Sequence, residues 1–213
     1  MVLFISLRNL SVALLAMLSW SVSASAYSAP KTVLVVGDSL SAEYGIARGA
    51  GWVALAEQKL KAQKMDVNVV NASVSGETTS GGRTRLPQLL AKHKPDIVVI
   101  ELGANDGLRG LPVAAADSNL RAMVDTAKKA GARVLLVGIR IPPNYGRDYS
   151  EKFFAMYDTI SKAAKVPLAP FMLEGVVTHP ELFQQDRLHP LAEAHPIILA
   201  NIWPHLLAIV KAK

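Results

Sequence analysis

Ser39, within Gly37-Asp38-Ser39-Leu40, follows directly on the apolar run 32–36. A strand that stops at Gly-Asp presents the next side chain at the carboxyl edge of a sheet, where parallel α/β folds build their sites. That placement makes Ser39 a candidate nucleophile. Acyl transfer also needs a base, a carboxylate to orient it, and donors aimed at the developing oxyanion. Near the other end of the chain, Asp186-Arg187-Leu188-His189-Pro190 offers the base. Three residues of separation in a turn let the Asp186 carboxylate reach one imidazole nitrogen of His189, leaving the other for Ser39. Gly76, in Ser73-Val74-Ser75-Gly76-Glu77, could supply a closely approaching backbone N–H, and Asn105, in Gly103-Ala104-Asn105-Asp106, an amide N–H. Taken singly, each has an ordinary alternative. Ser39, Gly76 and Asn105 are also common turn and cap residues, and Asp-x-x-His is also a carboxylate-capped turn leading into a helix.

Bringing these groups together requires a sheet. Five apolar runs recur, at 32–36, 67–71, 96–102, 133–139 and 166–170. They are rich in Val and Ile without polar alternation, as expected of parallel strands covered on both faces. Ala-, Leu-, Lys- and Gln-rich segments at 51–64, 84–93, 113–130 and 149–165 read as the intervening helices, and 191–211 closes the chain. Pro196 and Pro204 predict a kinked or interrupted last helix. This alternation predicts a three-layer, flavodoxin-like α/β domain with right-handed crossovers. Its commonest strand order, 2-1-3-4-5, puts the switch point between the first and third strands and gathers the loops that carry Ser39, Gly76 and Asn105.

The chain of 213 residues opens with one basic residue, Arg8, then an uncharged stretch ending in Ala24-Ser25-Ala26. A charged start, a short apolar core and a small-x-small site predict a secretory signal peptide over 1–26, with 27–213 as a single domain. There is no cysteine, which excludes thiol chemistry and disulfide support. The net charge of +6 favours approach to anionic surfaces or substrates, but the basic residues are scattered and lack aromatic interleaving, so no nucleic-acid site is expected. Gly49-Ala50-Gly51-Trp52-Val53-Ala54 loosely fits a dinucleotide pattern yet does not follow the first strand directly. No Gly-x-Ser-x-Gly elbow is present, and the histidines lack zinc spacing.

The ordered set resembles the SGNH (GDSL) hydrolases. Gly37-Asp38-Ser39-Leu40-Ser41 is similar to their first block, Gly76 to the second-block glycine, Gly103-Ala104-Asn105-Asp106 to the third block, and Asp186 with His189 to the last. More narrowly, segments 70–76, 101–110 and 143–147 resemble the bacterial periplasmic thioesterase I / protease I / lysophospholipase branch, also described as arylesterases. The resemblance implies that Ser39 attacks, that His189 acts as base and then acid with Asp186 orienting it, and that Ser39 N–H, Gly76 N–H and the Asn105 amide form the oxyanion hole. It also implies that Gly107, Leu108, Arg109, Gly110, Leu111 and Pro112 form a mobile wall for the acyl chain. At Arg187 the chain departs from the Asp-Gly-x-His common among close relatives.

The function expected is a periplasmic or secreted serine hydrolase acting on aryl esters, acyl-CoA or lysophospholipid, without cofactor or metal. Its partner is a small-molecule ester or thioester with an apolar acyl chain, and it is expected to be a monomer making transient contact with membrane surfaces. The alternatives are a carbohydrate O-acetyl esterase and a non-catalytic lipid-binding protein.

Overall fold

The computed structural model describes residues 29–212, so the segment read as a signal peptide lies outside the described residues. Five parallel strands, β1 (Lys31–Gly37), β2 (Val67–Asn71), β3 (Ile97–Glu101), β4 (Arg133–Val137) and β5 (Leu168–Ala169), form one sheet in the order β2-β1-β3-β4-β5. The expected order and the switch point are both present. Every residue of β3 is buried, as befits a central strand covered on both faces. Register pairs Gly37 with Glu101, so the ends of β1 and β3 lie side by side where their loops leave the sheet.

Among the described residues there are six α-helices: α1 (Trp52–Ala62), α2 (Thr79–His93), α3 (Ala104–Leu108), α4 (Val113–Lys129), α5 (Arg147–Ala164) and α6 (His195–Lys211). Helix α1 packs with α6, while α4 packs between α2 and α5, giving the two outer layers. Among the described residues, no helix is long and apolar enough to cross a membrane.

Three of the departures from the sequence expectation have an identifiable local cause. Helix α2 starts at Thr79 rather than 84 because Thr78 caps it, its hydroxyl accepting from Gly81 N–H at 3.2 Å. Strand β5 is shortened by its flanking Pro167 and Pro170, which cannot donate to a ladder. The last helix runs unbroken from His195 to Lys211. Pro196 sits in its first turn, where no N–H is required, and Pro204 is accommodated within it.

Candidate active site

Ser39 leaves the end of β1 and meets His189, which arrives from the loop beyond β5. Ser39 Oγ lies 3.0 Å from His189 Nε2, and His189 Nδ1 lies 2.6 Å from Asp186 Oδ2. The other carboxylate oxygen, Oδ1, accepts the backbone N–H groups of Leu188 and His189 at 2.9 and 3.0 Å. Partial desolvation pushes the Asp186 carboxyl up, but the His189 and Leu188 N–H groups and the imidazole outweigh it and hold the pKa down at about 2. Asp186 is therefore a carboxylate throughout the neutral range. The proton between it and His189 belongs to Nδ1, so Nε2 is free to accept from Ser39 Oγ. The Tyr44 ring packs against the imidazole with centroids 4.4 Å apart.

The turn carrying Ser39 is pinned from beneath by a buried polar cluster. Trp52 Nε1 donates to Ser41 Oγ at 3.0 Å, leaving the Ser41 hydrogen for Glu101 Oε2 at 2.6 Å, which also accepts from Asp38 N–H at 3.3 Å. Asp38 in turn accepts from Leu40 N–H at 3.0 Å and from Asn105 Nδ2 at 3.2 Å. Burial, and then the adjacent Asp38, push the Glu101 carboxyl well above its usual range. Its Oε1 has no hydrogen-bond partner among the described residues. Burial likewise pushes Asp38 up to about 6, against the opposing pull of Leu40 N–H, His189 and Asn105. The signal for Glu101 was an acid closing an otherwise apolar run, and Ser41 lay within the first block of the family resemblance; nothing in the sequence pointed to a role for Trp52 or Tyr44 here.

These shifts set a direction for stability. A carboxyl with a raised pKa binds its proton more tightly in the folded chain, so Asp38's contribution is complete below about pH 4 and is lost as the pH rises through about 6. Asp186, with its lowered pKa, contributes above about pH 4 and loses that contribution only toward about 2. Burial pushes the His195 imidazole down, which adds stability as the pH rises, so the Asp38 effect is read against Asp38→Asn: the wild-type urea midpoint relative to that variant should decline from about pH 4 to pH 7. A relative midpoint that climbs across that window would contradict the raised Asp38 pKa.

The backbone N–H groups of Ser39 and Gly76 have no hydrogen-bond acceptor among the described residues. Gly76 adopts φ +79°, a left-handed conformation that favours glycine. The Asn105 amide donates to Glu77 O at 3.0 Å and, less closely, to Asp38 Oδ2. Asp106 accepts from Thr79 N and Oγ1 at 2.8 and 2.6 Å, tying α3 to the start of α2 and so holding Asn105 beside the Gly76 loop. Arg109 reaches across to Gly76 O at 3.1 Å.

A cavity of about 920 Å³ opens beside these groups. Its walls are mainly apolar and include Leu40, Leu108, Ile139, Ile141, Phe154, Phe171, Leu173 and Val177, with Ser39, Asn105 and His189 at its polar end. Of segment 107–112, Leu108 is the residue that lines the cavity. Gly107 is buried against Ile141 and Phe153, Leu111 is exposed with its carbonyl accepting from Tyr149 Oη at 2.8 Å, and Gly110 turns the chain at φ +65°. Size and composition suit a flexible apolar chain attached to a polar reacting group.

The sequence profile of the GDSL-like lipase/acylhydrolase family matches residues 35–197. Esterase TesA of Pseudomonas aeruginosa is 49% identical over 179 residues, covering 84% of this chain and 89% of its own. Thioesterase 1/protease 1/lysophospholipase L1 of Escherichia coli K12 is 44% identical over 171 residues, covering 80% and 81%. Among solved structures, TesA superposes with a TM-score of 0.82 at 49% identity, covering 84% of this chain and 99% of that one. The psychrotrophic esterase EstA from Pseudoalteromonas, inhibited by monoethylphosphonate, gives 0.81 at 40% identity, covering 85% and 100%. With strand order, loop placement and sequence in agreement, the chain belongs to the GDSL-like lipase/acylhydrolase family.

Proposed function

We propose that this chain is a serine hydrolase that cleaves carboxylic esters and thioesters of apolar acyl chains through an acyl-Ser39 intermediate. The observation that carries the proposal is the run of contacts from Asp186 through His189 to Ser39, with Ser39, His189 and Asn105 lining one apolar cavity. Ser39 Oγ attacks the acyl carbon while its proton passes to His189 Nε2. The imidazolium so formed is stabilised by the Asp186 carboxylate. Negative charge gathers on the former carbonyl oxygen, where Ser39 N–H and Gly76 N–H stand ready to donate. Asn105 joins them by exchanging its longer bond, to Asp38, for one to the oxyanion. His189 then protonates the departing oxygen or sulfur, and water repeats the sequence to release the acid.

Replacing Asn105 by alanine should lower kcat by about 10²- to 10³-fold, the usual scale for one oxyanion donor. Steady-state kinetics on a variant with unchanged circular dichroism tests this, and full activity would remove Asn105 from the hole. Chain length tests the cavity. Turnover of 4-nitrophenyl esters from acetate to palmitate should rise beyond acetate, because each buried methylene contributes about 0.8 kcal/mol until the cavity is filled. Turnover confined to acetate would replace the lipid reading with a carbohydrate O-acetyl esterase.

Residues 1–26 complete the proposal as a cleavable signal peptide, making 27–213 a periplasmic or secreted single domain. N-terminal sequencing of the exported protein tests that boundary. The relay is assembled within one chain, consistent with a monomer. The exposed large apolar residues Tyr44, Val74, Leu111, Tyr145, Val177 and Leu188 all lie on loops at the carboxyl edge of the sheet, which supports transient contact with lipid surfaces at the site.

A further inference from the structure

On the ester and thioester reading above, His189 fixes where the leaving group lies, because Nε2 must hand its proton to the departing atom. The neighbours of His189 on its tight turn are Asp186, Arg187 and Leu188. Asp186 is committed there to His189 and the backbone. Arg187 is the other charged residue of the turn. It is exposed, lines the cavity mouth beside Leu188 and His189, and pairs with no carboxylate among the described residues. The remaining cavity arginines are engaged: Arg147 bonds to Glu151 at 2.7 Å, and Arg140 lies over the rings of Phe154 and Phe171 at 3.9 and 5.4 Å. Glu174 contributes an acidic group to the same cavity.

Arg187 is also one of five non-glycine residues among the described residues that adopt a positive φ. Its φ is +56°, with its N–H donating to Gln184 O at 2.9 Å. A side chain in this left-handed conformation is disfavoured relative to glycine. Strained backbone beside a reacting group is a reason to look for a use of the side chain that the strain carries.

We propose that Arg187 is a specificity residue that holds a phosphate borne by the leaving group. A guanidinium presents paired donors to phosphate oxygens, and at this position it engages the leaving-group side of the substrate while the acyl chain occupies the apolar cavity. Two substrate types carry such a phosphate: a coenzyme A thioester and a lysophospholipid. Arg187 acts on binding and takes no part in proton transfer.

The test uses matched pairs that differ in the phosphate-bearing portion: octanoyl-CoA against octanoyl-N-acetylcysteamine, and lauroyl lysophosphatidylcholine against monolauroylglycerol. Arg187→Gly suits the backbone conformation, so its unfolding midpoint should match or exceed that of the wild type. It should lower kcat/KM about tenfold on a phosphate-bearing substrate, mainly through KM, and leave the neutral partner within about twofold, the scale of one exposed charge-assisted contact. Arg187→Lys should restore part of the loss, and added salt should shrink the wild-type preference. Loss confined to the first pair assigns the phosphate to the thioester, and loss confined to the second assigns it to the lipid headgroup. Equal changes within both pairs, or no change in either, would overturn the proposal. A wild type inactive on all four substrates would instead overturn the hydrolase reading on which it rests.

Discussion

Alanine at position 39 should lower kcat on a soluble aryl ester by on the order of 10⁵-fold, a loss of roughly 7 kcal/mol in transition-state stabilisation. The size follows from what His189 has to act on. Its Nε2 lies 3.0 Å from Ser39 Oγ, so removing that oxygen leaves the base without the proton it is placed to take. The residual rate then depends on the backbone N–H groups at positions 39 and 76 polarising the carbonyl for direct attack by water. On the proposed pairing of Ser39 as nucleophile with His189 as base, adding His189→Ala to Ser39→Ala should cost little more. Steady-state kinetics on the two single variants and the double variant decide this. Multiplicative losses would mean that the two residues act in separate steps.

Asp186→Asn should be the next largest effect, about 10³- to 10⁴-fold in kcat with the fold intact. The two backbone N–H groups of Leu188 and His189 retain the asparagine carbonyl oxygen at the Oδ1 position. That orientation turns the new amide nitrogen toward His189 Nδ1, replacing an acceptor by a donor. Nδ1 must then accept, and the ring proton moves to Nε2, where it blocks proton transfer from Ser39. Comparison with Asp186→Ala separates the causes. If the wrong tautomer is the cause, alanine, which leaves the ring free to choose, should be no worse than asparagine. Activity of the asparagine variant near that of wild type would show that a formal charge and a fixed tautomer are unnecessary at this site.

The sheet was legible because its strands are unbroken Val- and Ile-rich runs, and burial on both faces leaves such runs few other destinations. Ser39, His189 and Asp186 were legible for a related reason: reactive residue types at strand ends and in a loop before the last helix stand out against apolar runs. Helix α3 and the first turn of α2 were not. Asn105-Asp106-Gly107 and Ser80-Gly81-Gly82 read as loop by propensity, yet Thr78 and the Asp106–Thr79 bonds stabilise them as helix. These stabilising contacts join distant segments. The same limit applies to the cluster beneath Ser39, where Glu101 meets Asp38 and Ser41 across a separation of about sixty residues. Arg187 could be seen as an odd residue in its motif, but its positive φ and its position at the cavity mouth belong to the folded turn.

The claim on which the rest depends is that Ser39 is the activated nucleophile. Incubation with a fluorophosphonate, followed by intact mass and peptide mapping, tests it without assuming a substrate. One adduct per chain is expected, located on Ser39, absent from Ser39→Ala and formed much more slowly in His189→Ala. Equal labelling of Ser39→Ala, or an adduct mapping to Ser41, Ser73 or another residue, would contradict it.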